Sequence, residues 1–234
     1  MMRARLQHIV AASPAVLMAL LIARLWFSGT LRYYVNDRTV WIVLLGGVLF
    51  AIVGITSLRA SMRADQASRI SWRTIVFLVP IVFGLLIPAK PLSASSGQSS
   101  SLGALQLASH VSSGASGDQF GVWISDLATH PDPTWWAGQH VTLVGFVAGQ
   151  SGLPKRSFIV GRYLVTCCVV DATLFGFPVQ IDRGSVPAEG AWVQVSGVFG
   201  RDYWVDPSGQ HYPFIHHATI GPVSIPSSPY LSPS

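Results

Sequence analysis

Charge is what this sequence lacks. Only 11% of its 234 residues are Asp, Glu, Lys or Arg, against 50% hydrophobic and a mean hydropathy of +0.46. A soluble domain carries roughly 25% charged residues. The deficit argues against a wholly water-exposed chain, and three stretches account for it. Leu6 to Ala23 is free of charge and predicts a helix over 6–27, with further helices over 39–58 and 74–90. A membrane span needs about 20 apolar residues, within a range of about 17–25. The third run is the shortest and holds Pro80, Gly84 and Pro88, but Trp72 and Lys90 can anchor its ends at the interface. A cleaved signal peptide is the other reading of the first run. Arg24, Trp26 and Phe27 follow it where a small-x-small site would be needed.

Acidic residues are missing from all three runs. Ionisable groups inside a membrane normally mark ion or proton paths. Their absence argues against a self-sufficient transporter and for a chain that works beside a partner. Catalytic signatures are missing too: there is no GxSxG, Walker or dinucleotide fingerprint, no CxxC or HExxH, and no EF-hand series. The expectation is a non-enzymatic protein.

The basic residues are few but uneven. Arg3 and Arg5 precede the first run, and Arg59, Arg63, Arg69 and Arg73 lie between the second and third. Arg32 and Arg38 lie between the first and second, and Lys90 follows the third. The richer side is expected in the cytoplasm. This predicts a multi-pass protein of a bacterial plasma membrane, with a cytoplasmic N-terminus and everything after Lys90 extracytoplasmic. The net charge of +5 and pI near 9.6 come largely from these loop arginines. They suit anionic headgroups of the lipid bilayer, not nucleic acid.

Residues 91–119 are rich in Ser and Gly and read as a flexible linker. Its mean span would be roughly 30 Å. Within it, "LGALQLASHV" has the pattern of a short helix. From Phe120 the texture changes. "FGVWISDLATHPDPTWWAG" reads as a short helix and a loop. Five strand segments follow: "HVTLVGFVAG", "SFIVGRYLVTCCVVD" (with a bend at Gly161), "GFPVQIDR", "AWVQVSGVFGR" and "YPFIHHATIGPVSI". The fold class expected is therefore a membrane α-helical N-terminal region plus a small all-β C-terminal domain over 120–226. Mid-strand glycines at 145 and 197 suit the coiling of an OB-like five-stranded barrel; a small open sandwich is the alternative. The tail over 227–234 reads as disordered.

Several of these segments together resemble one family. They are the "RYYVNDR" turn between the first two runs, the serine-rich spacer, "VTLVGFV", "FIVGRYLVTCCVVDA" and "WVQVSGVFG". The chain resembles the YcgQ-like bacterial membrane proteins, a family of proposed permease subunits. The adjacent cysteines followed by Asp-Ala are the most specific part. The resemblance implies a partner, a multi-spanning membrane permease, and it carries no catalytic residue.

Cysteine is nearly absent, and the two that exist are adjacent: Cys167 and Cys168, with Asp171 three residues on. In a regular strand, neighbouring side chains point to opposite faces. One cysteine would then enter the core and the other face outward. Three readings stay open. One cysteine packs as a small apolar residue and the other lies under a loop or a partner; or a bulge lets them ligate Zn or Cu(I), with Asp171, His211, His216 and His217 as candidate co-ligands; or they form a strained vicinal disulfide with a redox role. An extracytoplasmic metal-binding or thiol-redox domain is thus the functional alternative to a permease subunit. The remaining candidates read as structural. Trp135, Trp136, Tyr203, Trp204 and Tyr212 suit a small core better than base stacking. "DPSG" at Asp206 reads as a turn, and Asp182, Asp202 and Asp206 lack a calcium-ligand series.

Overall fold

Small residues let the first two apolar helices approach closely. α1 (Met2–Phe27) and α2 (Val40–Arg63) touch where α2 offers glycine. A Cβ built at Gly47 would lie 3.1 Å from Ile22 Cγ2. One built at Gly54 would lie 2.6 Å from Val16 Cγ2. This small-residue contact is the usual device of helix pairs in lipid. The turn between them is closed locally. Asn36 is buried, and its Oδ1 accepts the Arg38 N–H at 3.0 Å. Arg32 Nε pairs with Asp37 at 3.2 Å.

The computed structural model describes residues 2–63, 79, 81–87, 90–92, 102, 111–112, 119–130, 132–150 and 152–233. Within these residues the chain forms two compact units, Met1–Lys90 and Pro91–Ser234. One described helix is long and apolar enough to cross a membrane. It is the Val40–Ala60 part of α2, 21 residues of mean hydropathy 2.4. Its outward side chains from Trp41 to Ile55 are exposed and apolar. Three such helices were expected. Within α1 the described apolar helix is the shorter Pro14–Phe27, and the side chains before Pro14 lie outside the described residues. The third lies largely outside the described residues.

The second unit begins with α3 (Phe120–Thr129), which buries Phe120, Gly121, Ile124 and Leu127 along one face. It ends at His130, where Pro131 follows and disfavours helical backbone. The short α4 (Pro133–Trp136) restarts at once. The Asp132 carboxylate caps it by accepting the Thr134 N–H, and Pro133 fits its first turn.

Five longer strands follow: β2 (His140–Ala148), β3 (Ser157–Leu164), β4 (Thr173–Gln180), β5 (Trp192–Val205) and β6 (His211–Pro222). β1 (Val111–Ser112) and β7 (Ser232–Pro233) form a separate antiparallel pair. The five make a mixed sheet in the order β2-β3-β4-β6-β5, and β5 pairs back onto β2 so that the ring of pairings closes. All the pairings are antiparallel except β4 with β6, which is parallel and rests on Val179 opposite Ile215.

One face of this sheet is the core. Leu143, Val160, Val179, Val195, Ile215, Phe158, Phe177 and Phe199 are all fully buried. Rings from the helices pack on them. Trp136 lies 5.0 Å from Phe199 and 6.0 Å from Phe177, Trp123 lies 5.3 Å from Phe199, and Phe120 lies 6.3 Å from Phe177. Gly145 sits where strands crowd: a Cβ there would lie 2.6 Å from the Gly161 carbonyl oxygen.

Two expectations need correction. The second strand does not run to Asp171; β3 stops at Leu164. The tail is not disordered. The Leu231 N–H donates to Tyr163 O at 2.8 Å, and the Val165 N–H donates to Leu231 O at 3.2 Å. Tyr230 and Leu231 are buried. The reason lies in β3, where seven of eight residues are buried. The tail extends that burial by a parallel bridge of Leu231 to Leu164 and by the Arg162 guanidinium, which donates to the Ser228 and Pro229 carbonyls. Most of 91–119, including the "LGALQLASHV" segment apart from its first and last residues, lies outside the described residues. Yet Leu92 donates its N–H to the Tyr230 hydroxyl at 2.8 Å, and Leu102 is buried in the core.

Candidate functional site

The loop from β3 to β4 holds both cysteines. Its backbone closes around one carboxylate. Asp171 Oδ1 accepts the Thr166 N–H at 2.9 Å, and Oδ2 accepts the Cys167 N–H at 2.8 Å. The Asp171 N–H returns to the Cys168 carbonyl at 3.0 Å, and Val169–Asp171 form one 3-10 turn. An aspartate that captures amides ahead of it competes with strand pairing. This is why a β-branched, strand-like sequence leaves the sheet after Leu164.

No disulfide joins the two thiols, and their sulfurs lie 3.7 Å apart. Cys167 is exposed and Cys168 half-buried. The two were expected on opposite faces of a strand. They come together because they are in no strand. Between them and Asp171, Val170 is 91% exposed, a bare apolar side chain at the loop tip.

The electrostatics of the loop follow from the carboxylate. The hydrogen bond to Asp171, then that to Cys168, pushes the Cys167 thiol up to about 11. Burial would raise the Asp171 carboxyl. The bonds it accepts from the Cys167 thiol and from the amides of Cys167, Thr166 and Cys168 outweigh this and leave it below the ordinary range. At neutral pH the loop therefore holds a thiol beside a carboxylate. Reactive redox cysteines have lowered pKa values in electropositive surroundings. Around Cys167 the hydrogen bond to Asp171 favours the protonated thiol instead.

The histidines are placed elsewhere, on β6. His211 stacks on Tyr203 with centroids 4.4 Å apart. His216 Nε2 meets Asp202 Oδ1 at 2.7 Å. His217 has φ of 51°, and its Nδ1 meets Asp182 Oδ2 at 3.0 Å. Each is engaged with its own neighbour. Among the described residues, no group of three or more His, Cys, Asp or Glu gathers as a metal site. The six candidates therefore divide into one cysteine–aspartate loop and three separate histidine contacts.

The aromatic candidates divide as well. Trp136 is buried and donates its Nε1–H to the His130 carbonyl at 2.9 Å, while Trp135 is partly exposed and stacks on His130 at 3.9 Å. Trp204 and Tyr212 are buried against each other, 5.9 Å between centroids. Asp206 makes the expected turn: its Oδ1 accepts the amides of Ser208 and Gln210 at 2.8 and 2.9 Å.

Sequence reasoning missed Arg162. It is 3% exposed on β3. Its Nε donates to the Pro229 carbonyl at 3.3 Å, its Nη2 donates to the Ser228 carbonyl, and its guanidinium lies 5.9 Å from the Trp192 ring centroid. Burial lowers its pKa to about 10. The signal was an arginine inside an otherwise apolar strand segment.

Family models match both halves of the chain. The DUF1980 N-terminal domain matches residues 15–101, and the DUF1980 C-terminal domain matches residues 111–233. No curated protein and no solved structure matches the chain.

Proposed function

The chain belongs to the DUF1980 family, and from that premise we propose that it is an integral-membrane accessory subunit of a multi-spanning permease. It is non-enzymatic. The first unit is the multi-pass anchor in a bacterial plasma membrane. The second is an extracytoplasmic, OB-like barrel that offers the Cys167–Cys168 loop to partner or substrate. The strand order and the one parallel pairing, β4 with β6, favour the OB-like description over an open sandwich.

The observation that carries this reading is α2. Its span Val40–Ala60 has no acidic residue and an exposed apolar flank. Such a helix suits lipid or another apolar helix and offers no polar path of its own. Affinity purification of the full chain from native membranes in mild detergent tests it. A multi-spanning membrane protein is expected to co-purify; recovery of this chain alone overturns the reading.

A second reading is favoured by the sulfur separation of 3.7 Å: a membrane-anchored thiol domain that works without a permease. The same purification separates the two.

A further inference from the structure

We propose that the Cys167–Cys168 loop is an open, two-sulfur capture site for a soft monovalent metal ion of the Cu(I) type. The inference rests on the reading of this loop as the contact surface of the second unit, and it adds the substrate class.

Geometry comes first. The sulfurs are 3.7 Å apart and on the same side of the loop, one exposed and one half-buried. Two thiolates on one tetrahedral ion with metal–sulfur bonds of about 2.3 Å stand roughly 3.8 Å apart. The pair can therefore bridge one ion without a large backbone movement.

Ligand count then selects the ion. A structural zinc site closes with four protein ligands, and catalytic zinc keeps three. Among the described residues nothing beyond the cysteine loop gathers to complete such a set. Soft thiolates select Cu(I); at 3.7 Å the two sulfurs hold such an ion in a bent site whose third position stays open to a ligand from the partner. Two ligands at an exposed tip also suit release to a partner better than permanent storage.

The balance is simple: two S–H bonds break, two metal–sulfur bonds form, and two protons leave for each ion bound. No electron is transferred. Asp171 positions the loop through the Thr166 and Cys167 amides and is not a ligand.

The test uses the full chain in detergent, reduced and kept free of oxygen. Cu(I) is supplied from a chromophoric Cu(I) chelator, and Zn(II) is titrated in parallel. One Cu(I) per chain is expected, with two protons released and a sulfur-to-metal charge-transfer band. Cys167→Ser and Cys168→Ser should each lose the band. Near-UV circular dichroism of each variant establishes that it is folded. Failure of the wild type to take Cu(I) from the chelator overturns the proposal. So does unchanged Cu(I) binding by the double serine variant, or a clear preference for Zn(II). If the chain has become a disulfide two protons lighter that dithiothreitol cannot open, the capture site is likewise refuted. Co-purification of a permease is a separate readout: metal binding can fail while the partner is still recovered, and the reverse.

Discussion

Asp171 accepts the amide of Cys167 at 2.8 Å while the Cys167 thiol donates to the same carboxylate. One side chain thus sets both the shape of the loop and the protonation of its exposed thiol. The Cys167 thiol stays protonated well above neutrality, held near 11 by that hydrogen bond and by Cys168. Removing the charge should release it. Asp171→Asn is expected to shift the midpoint of Cys167 alkylation down toward the free-thiol value of 9.0. The measurement is the pH profile of iodoacetamide modification, read by peptide mass. A midpoint that stays put would remove Asp171 from this role.

The same two groups predict how stability depends on pH. The Asp171 carboxyl is lowered in the folded chain. Its contribution is present above the unfolded value of 3.8 and is lost as pH falls through the lower folded value. The Cys167 thiol is raised. Its contribution is present below 9.0 and is lost as pH rises from there through about 11. Thermal unfolding of the full chain should therefore weaken at both ends, and Asp171→Asn should flatten both. Identical curves for the two proteins would contradict the assignment.

Trp136 joins the helices to the sheet. It is 1% exposed, packs on Phe177 and Phe199 and donates its indole N–H to the His130 carbonyl. Trp136→Ala should cost about 3–5 kcal/mol, as large aromatic deletions in cores do. Trp135→Ala, a neighbour with its ring partly in solvent, should cost under about 1 kcal/mol. Chemical denaturation followed at near-UV wavelengths compares them. Equal costs would mean that α4 does not plug the sheet.

Leu231 ties the C-terminal tail to the end of β3. It is 3% exposed and exchanges backbone hydrogen bonds with Tyr163 and Val165. Leu231→Ala should lose about 2–5 kcal/mol. Hydrogen exchange should show the Leu231 and Val165 amides opening first. If the variant unfolds like the wild type, the tail is not part of the fold.

Gly145 reports on the closeness of β2 and β3. A Cβ there would meet the Gly161 carbonyl oxygen at 2.6 Å and Val160 Cγ2 at 3.0 Å. The first of these is backbone and cannot swing aside. Gly145→Ala should destabilise by about 1–3 kcal/mol through overpacking, whereas Gly149→Ala, whose nearest neighbour would be the Glu189 side chain at 3.7 Å, should be close to neutral. The same denaturation assay decides between a crowded and a roomy site.

Much of this molecule was legible residue by residue. Strand segments were found because β-branched and aromatic residues alternate between Gly, Pro and Asp, a local signal. The short helix and loop before them, and the turn at Asp206, were legible for the same reason: capping, proline and Asx chemistry act within a few residues. Apolar composition marked α2 as a candidate span, since length and hydropathy are properties of one segment. What needed the tertiary structure was each place where distant residues compete. "YLVTCCVVD" looks like one strand by composition. Whether it stays in the sheet depends on Asp171 taking the Thr166 and Cys167 amides, which removes them from pairing. That is why the two cysteines meet and do not face apart. "PSSPYLSPS" looks disordered because its polar majority cannot bury a core alone. Tyr230 and Leu231 are nevertheless buried, because the end of β3 pairs with Leu231 and the buried Arg162 holds the Ser228 and Pro229 carbonyls. The histidines share one segment in sequence, yet β6 deals them to different neighbours, Asp202, Asp182 and Tyr203. Local preference determined the elements; the burial of β3 and the capture of two amides decided the site.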